Sequence, residues 1–167
     1  MSPFVPLLVA AASVCTVPAE EKATQLSLPY ASFDSRSGPF GWRNLNAAGC
    51  ADAAVSLLAA YSGANTDRLA GNELREIAFH IGQALAMAGR DREAIKYFEN
   101  AQDAGASAEW RAYVQATLAF LRRDTTGLAA ARETYAAIAP GSMRLRIIDG
   151  FVACPGEPYA KAAHCKI

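Results

Sequence analysis

Charge is missing from the start of this chain and balanced through the rest. No Asp, Glu, Lys or Arg precedes Glu20. Across all 167 residues, sixteen Lys and Arg offset sixteen Asp and Glu. No basic field is available for a phosphate backbone, so nucleic acid is excluded as an expected partner. Histidine is nearly absent, with only His80 and His164. His164 lies beside Cys165, but structural zinc needs four ligands at characteristic spacings, and those spacings do not occur. The cysteines form no C-x-x-C redox pair. The nucleophile elbow, the H-E-x-x-H zinc motif and the phosphate-binding loop are missing too. The chain reads as non-enzymatic, with no cofactor and no metal expected.

Long hydrophobic runs are also lacking. Phe4 to Val14 is apolar apart from Ser13, well short of the roughly 20 residues of a membrane-spanning helix. No membrane span is expected. The length suits the core of a secretory signal, and Val17-Pro18-Ala19 supplies small residues for cleavage ahead of Glu20. Residues 1–19 are therefore expected to be a signal peptide, with the mature protein periplasmic or secreted. The alternative is a cytoplasmic chain with a buried N-terminal segment. Cys15 raises lipidation as a minor option, although Ala12-Ser13-Val14 is a poor lipidation signal.

Cleavage after Ala19 would leave Cys50, Cys154 and Cys165. Cys154 and Cys165 are close enough for a local bridge, worth roughly 2–3 kcal/mol in a loop this short. Cys50 would then be free, or paired with one of that tail pair.

What remains is rich in alanine and helical in period. Residues 20–40 are largely polar, with Ser, Gly and Pro between Pro29 and Pro39, and read as a linker or irregular arm. From Asn72 to Ala88, apolar residues fall at Leu74, Ile77, Ala78, Ile81, Leu85 and Ala88, the stripe of one helical face. Gly89 ends that helix and Asp91 is placed to cap the next, which buries Ala94, Ile95, Phe98 and Ala101. Ser107 is placed to cap a third segment containing Trp110, Tyr113, Val114, Leu118 and Leu121. A further helix runs from about Thr126 to Ile138, closed by Pro140-Gly141. Strand alternation is confined to Arg144–Ile148, which reads equally well as helix. The fold class is all-α. His80, between Phe79 and Ile81, reads as a packed or surface helical residue rather than a ligand.

A unit also repeats. Leu45-Asn46-Ala47-Ala48-Gly49, then Ala54, returns as Leu85-Ala86-Met87-Ala88-Gly89, then Ala94. Leu118-Ala119-Phe120, then Asp124 and Gly127, forms a third copy. In the middle copy, Ala78-x2-Ile81-Gly82-x2-Leu85 followed by Ala94-x3-Phe98-x2-Ala101 resembles the tetratricopeptide-repeat family. Gly82 and Ala94 fall at its small contact positions. The flanking copies are degenerate, with Gln115 in place of Gly82 and Ala131 in place of Phe98. The resemblance covers residues 41–140. It implies an α-α superhelix of about three stacked antiparallel hairpins, with residues 141–167 as a C-terminal cap held by the cysteine pair.

The same resemblance implies function. First helices of such repeats line a concave groove that holds a peptide or a partner surface. Carried over, the groove residues are Arg43, Glu76, Phe79, Gln83, Met87 and Phe120, a lining suited to apolar contacts and amide hydrogen bonds. The expected role is a protein or peptide interaction module with an unidentified partner. Alternatives are a small exported enzyme or thiol-redox protein using its cysteines, and a structural subunit of an envelope complex.

Overall fold

The computed structural model describes residues 15–35 and 38–165, and among these residues every regular element is a helix. The order is α1 (Ala19–Ser27), α2 (Tyr30–Phe33), α3 (Trp42–Ala47), α4 (Ala51–Asn65), α5 (Gly71–Met87), α6 (Asp91–Asn100), α7 (Ala108–Leu121), α8 (Thr125–Ile138), α9 (Met143–Ala153) and α10 (Tyr159–Ala162). From α3 to α9 each helix packs on the next, α7 also meets α9, and α10 folds back on α9 and α5. The first fourteen residues of the expected signal segment lie outside the described residues.

One corner is used three times. After α3, the Gly49 N–H bonds to the Asn46 carbonyl and the Cys50 N–H to the Leu45 carbonyl. After α5, Gly89 and Arg90 bond in the same way to Ala86 and Leu85. After α7, Arg123 and Asp124 bond to Phe120 and Ala119. This pair of hydrogen bonds closes a helix where the chain turns left-handed and satisfies carbonyls that would otherwise be orphaned. Gly49 and Gly89 adopt φ of 80° and 75° at no steric cost. Arg123 takes the same place at φ 59°, the only non-glycine with positive φ among the described residues.

Starts are capped where short polar residues allow it. Ser107 Oγ accepts the Trp110 N–H at 3.1 Å, Asp124 the Gly127 N–H at 2.8 Å, and Ser142 the Leu145 N–H at 3.1 Å. Asp91, expected as a cap, is instead the first residue of α6, where its charge faces the positive end of the helix dipole.

The stretch expected to be a linker or irregular arm carries α1 and α2. Only Gln25 of α1 is buried, so no apolar stripe announced the helix. Its C-terminal carbonyls are held from α4 instead. Asn65 Nδ2 donates to the Leu26 carbonyl at 3.1 Å, and the Tyr61 hydroxyl to that of Leu28 at 2.8 Å. Phe33 then stacks on Tyr61 with ring centroids 3.7 Å apart.

Two cysteine pairs lie at disulfide distance. Cys154 meets Cys165, with Cα atoms 6.4 Å apart, and Cys15 meets Cys50, with Cα atoms 5.1 Å apart. Cys50 is therefore neither free nor joined to the tail. Its partner lies upstream, in residues the expected cleavage would have removed.

Candidate functional site

The site grows from the first turn of α3. Gly41 opens that helix, and Trp42 follows as a buried residue with Arg43 beside it. The Arg43 guanidinium lies over the Trp42 ring, 4.3 Å from its centroid. It also binds Asp34 at the end of α2, with Nη2 2.8 Å from both carboxylate oxygens and Nε donating to the Asp34 carbonyl at 2.5 Å. Opposite stands His80 of α5. Its Nε2 is 3.2 Å from Asp34 Oδ1, its Nδ1 is 2.8 Å from Gln83 Oε1, and its ring packs on Trp42 at 4.6 Å.

These contacts tie three elements at one point. Burial pushes the Asp34 carboxyl upward. The hydrogen bonds and charges of His80 and Arg43 outweigh it, leaving the group below the ordinary carboxylate range. Tyr30, one turn earlier, donates to Glu76 at 2.9 Å. Burial, with the nearby Asp34 and Glu76 carboxylates, pushes its phenol far up. Both ring nitrogens of His80 are engaged by these neighbours, so the ring works as a clasp between α2, α3 and α5.

Beside the clasp lies a cavity of about 500 Å³. Its walls come from α3, α5, α9 and α10, among them Trp42, Gln83, Met87, Met143, Ile147 and Tyr159. Met87 and Met143 stand on these walls 44% and 64% exposed. Asn46 donates to the Met87 sulfur at 3.0 Å, and the Gln83 amide reaches the Tyr159 hydroxyl at 3.5 Å. Tyr159 is itself buried, its ring 5.3 Å from Phe151 and 6.4 Å from both Phe98 and Phe120. Burial pushes its phenol up to about 12, with the Gln83 contact pulling the other way.

Three of the six expected groove residues meet here: Arg43, Gln83 and Met87. Phe79 and Phe120 do not line it. Each is only 2% exposed. Phe79 sits among Phe98, Trp110 and Tyr113 at 4.8, 5.1 and 5.2 Å, and Phe120 stacks on Phe151 at 4.4 Å. Both are core residues, because α7 and α9 cover the faces on which they stand. Glu76 is spent on Tyr30, away from the cavity walls.

Sequence reasoning missed Asp34, Met143, Ile147 and Tyr159. The first lies in a stretch read as irregular. The others belong to the cap, whose packing direction no periodicity encodes. Among the described residues, no group of three or more His, Cys, Asp or Glu is placed to hold a metal, and no helix is long and apolar enough to cross a membrane.

The chain matches no family model, and no curated protein or solved structure is detectably similar to it.

Proposed function

We propose that this chain is a non-catalytic interaction module, exported from the cytoplasm, that holds an apolar segment of a protein or peptide in the cavity between α3, α5, α9 and α10. One observation carries the reading. Two exposed methionines, Met87 and Met143, stand on the wall of a cavity whose polar lining includes the amides of Gln83 and Asn46 together with Arg43, Tyr159 and His164. Methionine is flexible and polarisable, so it adapts to apolar side chains of varied shape, while amides satisfy the backbone of a bound chain. The cavity volume falls in the range of ordinary ligand sites, about 300–1,000 Å³.

Two further features support the wider reading. Hairpins α3–α4, α5–α6 and α7–α8 share one corner geometry, which supports reading them as degenerate repeats of one unit. Two cysteine pairs at disulfide distance fit an oxidising, extracytoplasmic compartment.

The test is a pair of variants, Met87→Glu and Met143→Glu, each compared with Thr134→Glu on the exposed surface of α8. Partner recovery from the native envelope is expected to fall at least tenfold for the first two, with unchanged circular dichroism, and to persist for the third. Equal recovery for all three would overturn the placement. Rapid exchange of either cysteine pair with a substrate dithiol would favour the thiol-redox alternative instead.

A further inference from the structure

The polar groups on the cavity wall are donors with little to donate to. Arg43 gives Nε to the Asp34 carbonyl and Nη2 to the Asp34 carboxylate, and its Nη1 has no hydrogen-bond partner among the described residues. Asn46 uses its Nδ2 on the Met87 sulfur, a weak acceptor. Gln83 has its Oε1 engaged by His80, while its Nε2 reaches the Tyr159 hydroxyl only at 3.5 Å, beyond the usual range of an N–H···O bond. The Tyr159 hydroxyl makes no other hydrogen bond among the described residues, so its own proton is unused although the side chain is only 4% exposed. No Asp or Glu among the described residues stands on the wall.

A surplus of donors selects its occupant. An internal stretch of chain brings one N–H for almost every carbonyl, and against this wall its N–H groups would find few acceptors. A chain end differs. The α-carboxylate offers acceptors alone, and the bonds it accepts from a guanidinium are charge-assisted. Met87, Met143 and Ile147 supply an apolar wall for the side chains that precede it.

We propose that the cavity takes the free C-terminus of a protein or peptide whose last residues are apolar. Arg43 receives the α-carboxylate, and the Asn46 and Gln83 amides donate to the last peptide carbonyls. The inference rests on the proposed reading of the cavity and narrows its apolar segment to a chain end.

The full chain, with both cysteine pairs oxidised, is titrated into fluorescein-labelled hexapeptides that begin Gly-Ser-Gly and end in every triplet of Ala, Leu, Met and Phe. Each peptide is made with a free C-terminus and again as its amide, and binding is read by anisotropy. The best free-acid peptide is expected to bind at least about tenfold tighter than its amide, the effect of one charge-assisted hydrogen bond. Arg43→Gln is expected to bring the two within about twofold of each other. Because Arg43 also holds the clasp, Asp34→Asn is the matched variant. It weakens the same clasp but keeps the guanidinium and removes the carboxylate that competes for it, so the preference for the free acid should grow. Equal binding of acid and amide by the unmutated chain would overturn the chain-end inference and leave the cavity reading standing. So would a preference lost equally in both variants. Tighter binding of decanoate than of any peptide would overturn it in favour of a small amphiphile. No binding of any peptide, acid or amide, would overturn the peptide reading with it.

Discussion

A β-carbon on Gly82 would lie 3.0 Å from the ring carbons of Phe98, closer than such atoms normally approach. Phe98 is fully buried, and the two residues fix how near α5 and α6 can come. Gly82→Ala brings two opposed effects. Helix propensity favours alanine by about 1 kcal/mol, and overpacking costs roughly 1–3 kcal/mol. The ring is hemmed in by Phe79, so overpacking wins and a net loss of about 1 kcal/mol is expected in urea denaturation. A gain in stability would mean that the hairpin crossing is looser than described.

Arg123 pays for its left-handed backbone with contacts to the tail. Its guanidinium donates to the Pro155 carbonyl and lies 5.3 Å from the Phe120 ring centroid. Arg123→Gly relieves about 1 kcal/mol of backbone strain and loses a hydrogen bond of similar size. Global stability should change by less than about 1 kcal/mol, while amides of α10 exchange on the order of tenfold faster. Hydrogen exchange reads both. Unchanged protection in α10 would show that the arginine does not hold the tail.

How much of this was legible in the sequence depends on the kind of signal. Gly89 and the stripe from Leu74 to Ala88 gave α5 its bounds within a residue, because a helix end with a left-handed glycine leaves a local mark. The third corner was harder, since Arg123 stands where glycine was the cue. α1 left no mark because its carbonyls are satisfied by Tyr61 and Asn65, some 33 and 39 residues away. Phe79 and Phe120 were misplaced for a related reason. Ten residues of α7 are buried, on nearly every face, and a period cannot say which neighbour covers each one. The six-residue groove was a pattern carried over from a resemblance. In this chain α9 packs on α7 and α8, and α10 on α9 and α5.

Core and cavity positions should separate cleanly on mutation. Phe79→Ala is expected to cost about 3–5 kcal/mol, the range for an aromatic removed from a packed interior. Met87→Ala, at a side chain nearly half exposed, should cost less than about 1 kcal/mol. Thermal denaturation of the two variants decides. A mild Phe79 variant would return that residue to the surface of the groove.

The clasp at Asp34 makes stability depend on acid in a defined direction. The folded carboxyl lies below its ordinary value of 3.8, so the unfolded chain takes up the proton first as pH falls. The contribution is complete above that ordinary value, declines below it, and is gone once pH passes the lower folded value. Asp34→Asn should therefore cost about 2 kcal/mol at pH 7, and the cost should shrink as pH falls below 3.8 and through the lower folded value. A penalty independent of pH would show that the carboxylate charge is not what holds α2, α3 and α5 together.

The central claim is that the partner sits in the cavity walled by Met87 and Met143. A photo-crosslinking residue placed at position 143, and as a control at position 134, tests it in the native host. The account predicts one discrete adduct at 143, lost when Met87→Glu is added, and none at 134. Adducts of equal yield at both positions, or an adduct at 134 alone, would contradict it.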